Sequence, residues 1–261
     1  MYSFSKPNLI TEEFLIPSAG RLYGNGFDGH LTLRAMTTVE ERMRLGSQSF
    51  YGTMVNIVNE CIVDNKNPDG TYKIDSSLFT TFDFDAICVK LKIITYGPEY
   101  KTYAKCPVCG HTFKHVADLR DCSFSFVPED FSEPYDIGPL PRTGDTLGCR
   151  FLRVIDRINI DKQSQEIRAK NPNFVGDPSY TLEMERRIMT INGDDADPIQ
   201  VAKYVEYMTG MDSDYYHRMI DKDFYGVIRV GSTPCTAEEC KGHALYAIKA
   251  DSEFFRSGRD Y

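Results

Sequence analysis

The chain has 261 residues, 41% of them hydrophobic, and a formal net charge of −8, so it can bury a core and is too apolar for a disordered tail. No basic run stands out, which argues against nucleic acid as a partner, and no apolar stretch approaches the ~20 residues that span a bilayer. Eight cysteines behind a start, "MYSFSKPNLI", that lacks a secretory pattern point to reduced thiols or metal rather than a disulfide scaffold.

Residues 1–27 are rich in Pro, Gly and Ser. They carry Phe4, Leu9, Ile10, Phe14, Leu15 and Ile16 and read as an extended arm, disordered alone and ordered against a partner. "HLTLRAM" alternates briefly, as a strand does. Thr38 and Glu41 match a capping box, so "TVEERMRLG" predicts a short helix ending before Gly46. Residues 50–62 set Phe50, Met54, Ile57, Val58 and Cys61 on one stripe, and 84–95 repeat the pattern with Phe84, Ile87, Cys88, Leu91 and Ile94. Gly97-Pro98 stops the second helix. The two helices are expected to pack together, with Cys61 and Cys88 as small buried hydrophobes.

"YKTYAKCPVCGHTFKHVADL" predicts a hairpin with its cysteines at the tip. "CSFSFVP" and "LGCRFLRVI" read as strands either side of a Gly/Pro/Asp-rich link, placing Cys122 and Cys149 in the core. Residues 161–170 are polar enough for a surface helix or loop. A helix is expected over 180–191 on Met184, Ile188 and Ile191, and another over 199–208 on Val201, Tyr204, Val205 and Met208. Asp212 is expected to cap a last helix bearing Tyr216, Met219 and Ile220. "FYGVIRV" is a strand candidate, and the tail that follows brings a second Cys-bearing hairpin. The expected fold class is α+β: helical bundles flanking a small antiparallel sheet with two zinc-knuckle hairpins.

Cys106 and Cys109, in "AKCPVCGHTF", form half a zinc site that cannot close alone. Cys235 and Cys240 are the other close pair and complete the four thiolates of a structural Zn2+ site, although their C-x4-C spacing is looser than C-x2-C. His243, three residues past Cys240, is an alternative fourth ligand; with no metal, the thiols would be turn and core residues of unrelated hairpins. A shell of four sulfurs leaves no place for a catalytic water. H-E-x-x-H, G-x-S-x-G, P-loop and dinucleotide patterns are missing, "NGDDAD" spells no EF-hand, and His115 and His217 lack partners at recognisable spacing. These features predict a protein that is not an enzyme and takes no small-molecule substrate.

The order "LTLRAMTTVEERMRLGS", "NIVNECI", "FDAICVKLKIITYGPEYKTYAKCPVCGHTF", "SYTLEMERRIMTINGDD" and a late Cys pair resembles the baseplate protein family of T4-like phages (myoviruses). The likeness covers most of residues 28–255, expected as one mixed domain with a split zinc-ribbon-like site, with 256–261 as a tail. The resemblance implies a structural component of the contractile-tail baseplate hub, bound to other baseplate and tail proteins in the virion and assembled in the host cytoplasm. Two other readings stand beside it: a nucleic-acid-binding zinc ribbon, and a hub-assembly chaperone absent from the finished particle. Against the former, Lys105, Lys114 and Lys241 near the hairpins are offset by Glu238, Glu239, Asp118 and Asp121.

Overall fold

The computed structural model describes residues 9–24, 26–45, 49–222, 225–228, 230–248 and 254–255. The chain opens with β1 (Thr11–Leu15), β2 (His30–Arg34), α1 (Thr38–Arg44), α2 (Phe50–Cys61) and α3 (Thr81–Tyr96). The middle holds β3 (Glu99–Lys105), β4 (Thr112–Asp118), β5 (Phe124–Ser125), β6 (Tyr135–Ile137) and β7 (Leu147–Cys149). Then come α4 (Val154–Lys170), α5 (Ser179–Arg187), β8 (Ile188–Ile191), β9 (Asp194–Asp195), α6 (Pro198–Tyr207), α7 (Gly210–Lys222), β10 (Gly226–Val227), β11 (Val230–Pro234) and β12 (His243–Ala247). The class is α+β. In place of one small sheet, the described residues build four antiparallel ones, ordered β1-β2, β10-β5, β11-β12-β3-β4 and β6-β7-β8-β9.

The main core is where α2 and α3 lay their apolar stripes together: Met54, Ile57, Val58, Cys61, Phe84, Ile87, Cys88 and Leu91 are all buried. Residues 11–24, expected as part of a free arm, are built into this core instead. β1 pairs with β2 over its whole length, and Phe14 and Ile16 are buried. The physical reason is that these apolar side chains find cover within their own chain. Residues 1–8 and the tail 256–261 lie outside the described residues.

A buried carboxylate holds residues 18–23 against α3. Asp83 accepts from Ser18 N–H at 2.8 Å, Tyr23 O–H at 2.6 Å and Thr80 O–H at 2.9 Å. Thr80 caps the helix as well, accepting from Asp83 N–H.

The capping box of α1 lies one residue earlier than the sequence suggests. Thr37, not Thr38, is the N-cap, and its N–H donates to Glu40 at 2.7 Å. Glu40 is buried and bound by Arg34 at 2.8 Å. Burial works to raise its pKa, but the Arg34 and Thr37 donors overcome that and hold the carboxyl at about 2, against an ordinary 4.5. A lowered folded pKa stabilises above the ordinary carboxylate range and ceases to do so as pH falls through the folded value. This shift corresponds to roughly 3 kcal/mol. Glu40→Gln is therefore expected to lose about 1.5–3 kcal/mol at pH 7 and to flatten the stability–pH curve between ~5 and ~2, measured by urea unfolding across that range.

The second core gathers Ile137, Leu147, Cys149, Met184, Ile188, Val201, Val205 and Tyr216 under α5, α6 and α7. Here the 180–191 helix is cut short. The chain leaves α5 at Arg187, and Ile188–Ile191 joins β7 as a strand. Asn192 (φ 55°) and Gly193 (φ 85°) then make a two-residue turn into β9, with Ile191 opposite Asp194. "LGCRFLRVI" is a strand only at Leu147–Cys149, and its end opens α4, which takes in 161–170 as helix. The cap of α7 is Thr209, whose hydroxyl accepts from Asp212 N–H at 3.3 Å. Asp212 faces inward and accepts from Arg142 N–H at 2.7 Å.

The two cores meet at the start of α4. Thr81 N–H donates to Leu152 O at 3.0 Å and Val154 N–H to Phe79 O at 2.9 Å. Phe151 sits 5.0–5.7 Å from the rings of Phe82, Phe131, Tyr135 and Tyr225.

Candidate metal centre

β3 and β4 form a hairpin in full register from Glu99↔Asp118 to Lys105↔Thr112, with Cys106 and Cys109 in the turn. β11 and β12 form a second, from Val230↔Ala247 to Pro234↔His243, with Cys235 and Cys240 in its loop. The hairpins lie side by side, joined by Leu245↔Lys105. Both cysteine turns therefore reach the same end of one sheet.

Each turn has a backbone suited to its task. Gly110 N–H donates to Cys106 O at 2.9 Å with Gly110 left-handed at φ 75°, a conformation that glycine adopts without steric cost. Gly242 serves another purpose. A Cβ there would lie 2.9 Å from Val108 Cγ2 and 3.1 Å from Cys106 Sγ, so a side chain would push the turns apart. His111 Nε2 and Thr236 Oγ1, 3.1 Å apart, hold the two turns together.

The four sulfurs of Cys106, Cys109, Cys235 and Cys240 all lie within 4.8 Å of one another. Cys106 and Cys240 are 3.7 Å apart at Sγ, Cys109 and Cys235 3.6 Å. A tetrahedral ion with metal–sulfur bonds of ~2.3 Å spaces its sulfurs about 3.8 Å apart, so the donor set fits a metal of that size. Cys106 is fully buried, whereas Cys109 is exposed. The Cys109 N–H, with that of Val108, lowers the Cys106 thiol to about 7. Cys240 moves the other way, to about 12: the Gly242 N–H pulls it down, but the neighbouring sulfurs, Cys109 foremost, and burial push it up further. One thiolate forms readily, and its charge resists the next. A cation removes that resistance.

All four sequence-predicted cysteines are brought together. His243 is exposed on β12 opposite Pro234 and is not among the clustered ligand atoms. Cys61, Cys88 and Cys149 are buried as expected, whereas Cys122, expected in the core, is only half-buried against it. Sequence reasoning missed the His111–Thr236 link between the turns, and no residue spacing signals such a contact. His217 lies half-buried with its ring tilted against that of Tyr180, centroids 4.4 Å apart, and is not among the clustered ligand atoms.

Fold and cluster together define an α+β protein whose central hairpin and C-terminal hairpin converge on a four-sulfur centre suited to a closed structural metal. A family model described as "T4 bacteriophage base plate protein" matches residues 11–255. The chain belongs to this family: it is a structural, non-catalytic protein of the phage tail baseplate hub, and it works through contacts with other baseplate and tail components. No curated protein and no solved structure matches the chain. Among the described residues, no helix is long and apolar enough to cross a membrane.

Proposed function

We propose that Cys106, Cys109, Cys235 and Cys240 hold one structural Zn2+, and that the chain so clipped is a rigid docking subunit of the tail baseplate in the virion. The observation that supports this is the meeting of four sulfurs from turns more than 120 residues apart in sequence, as in Cys109 and Cys235 at a separation of 126. When bound, the ion supplies charge neutralisation and a cross-link. The chain's own residues do the rest: β3–β4 and β11–β12 aim the sulfurs, Gly242 permits their approach, and His111 with Thr236 fixes the turns.

The purpose of such a clip is preorganisation. A subunit whose sheet is already fixed spends less of its binding free energy on ordering at the interface. Repeated around a symmetric particle, modest contacts then add up to a stable assembly. Elemental analysis of the purified protein is expected to give one zinc per chain, and mass spectrometry of purified phage particles is expected to find the chain among the tail proteins. A protein abundant in infected cells but missing from the particles would instead be an assembly factor.

A further inference from the structure

We propose that the outward face of the β11-β12-β3-β4 sheet, next to the cysteine cluster, is the docking surface, and that its partner is a protein surface that carries carboxylates among apolar side chains. This rests on the baseplate reading above and names the surface through which it acts.

The burial pattern alternates cleanly along the strands. On β3, Ala104 turns inward while Tyr103 and Lys105 turn outward; on β4, Ala117 is buried while Lys114 and Val116 are exposed. β12 buries Ala244 and exposes Leu245. A sheet face left to water normally carries polar residues. This one carries Tyr103 at 63% exposure, Val230 at 62%, Val116 at 53% and Leu245 at 49%. The strand register intersperses them with cations: Tyr103 lies opposite Lys114, and Leu245 opposite Lys105. An exposed tyrosine beside aliphatic side chains on one face makes an apolar patch of the kind that marks a protein contact, and the lysines among them add charge that the partner must meet.

Charge selects the partner. The chain as a whole carries −8, yet the outward strand positions between the Glu99↔Asp118 pair and the cysteines hold lysines and no carboxylate. Asp118 is itself bound by Arg120 Nε at 3.0 Å. The nearby Glu238 and Glu239 are in the cysteine loop beyond the strands. Two copies docked face to face would set lysines against lysines, which disfavours a symmetric dimer. Nucleic acid fits less well than protein: a few lysines neutralise few phosphates, and Val116, Val230 and Leu245 offer nothing to a phosphate backbone. An acidic, partly apolar protein surface satisfies both halves of the face.

The test uses the full-length, zinc-loaded chain and purified hub subassemblies from the same phage that lack it. Binding is measured at 50 and 300 mM salt for wild type, Tyr103→Ser and the double variant Lys105→Glu/Lys114→Glu, after confirming unchanged zinc content and melting. Each variant is expected to weaken binding at least tenfold, and salt should weaken wild type far more than the double variant. Carbodiimide cross-linking should join Lys105 or Lys114 to Asp or Glu of another baseplate protein. Wild type that binds while both variants bind equally well would overturn this assignment and leave the baseplate role standing. Wild type that binds no subassembly would overturn both. Cross-links only to a second copy of this chain, or lysine-dependent binding only to a DNA oligonucleotide, would overturn the acidic-protein partner.

Discussion

Cys106→Ser is expected to abolish stoichiometric zinc and to release the C-terminal hairpin from the sheet. Zinc binding by small structural sites supplies ~10–16 kcal/mol, far more than the few kcal/mol that closing so long a loop costs. Part of that free energy goes into organising the cysteine end of β11 and β12; towards their other end the strands are held by Leu245↔Lys105, by Thr102 Oγ1 donating to Ala247 O at 3.3 Å and by Tyr246 against His115 and the main core. The third cluster buries Ala104, Cys106 and Ala244 with Phe113, Cys235, Cys240 and Tyr246 packed around them, and three of these seven side chains are the thiols themselves. The main core and the second core do not depend on the sulfurs. The loss is therefore expected to be regional: hydrogen-exchange protection should fall by more than 100-fold across residues 230–247, equivalent to about 3 kcal/mol or more, while α2 and α3 keep theirs. A chelator should reproduce the effect in wild type. Equal zinc and equal protection in Cys106→Ser and wild type would remove the metal site.

Asp83→Ala should produce the largest loss of global stability, about 3–5 kcal/mol by urea unfolding. Asp83 has no exposed surface. Its removal leaves the Ser18 N–H and the Tyr23 and Thr80 hydroxyls without their acceptor, in a site that water does not reach. Burial pushes the Asp83 carboxyl up against the pull of these donors, Tyr23 first among them. A neutral side chain of the same shape is thus tolerable, and Asp83→Asn is expected to cost only about 1–2 kcal/mol. Similar losses in both variants would mean that the negative charge, rather than the set of acceptors, holds residues 18–23 in place.

Where apolar spacing extends over several turns, the sequence reading and the structure agree. α2 and α3 each present three or more turns of buried positions, and helix periodicity has no competitor there. The sulfur cluster was legible for a different reason: four ligands of one chemical type, in two pairs inside hairpin patterns, leave few ways to be arranged. Ile188 and Ile191 show where apolar spacing alone misleads. Their spacing from Met184 suits a helix, yet the Asn192-Gly193 turn, a strong hairpin signal in its own right, fixes them as a strand beside β7. Phe14 and Ile16 fail for want of range. A Pro- and Gly-rich surrounding suggests an arm, and only the long-range pairing with β2 reveals a core strand. The acidic start of α7 misleads by a single turn, since Thr209 takes the cap and frees Asp212 to hold the Arg142 amide.

The distance along the chain between the two cysteine turns bears on synthesis. At ~5–20 residues per second, a ribosome takes roughly 6–25 s to travel the 126 residues from Cys109 to Cys235. Throughout that interval the early pair stands alone. A polypeptide truncated anywhere before the late pair never acquires the means to finish its sheet, so only products translated past Cys240 would reach the shape that assembly selects.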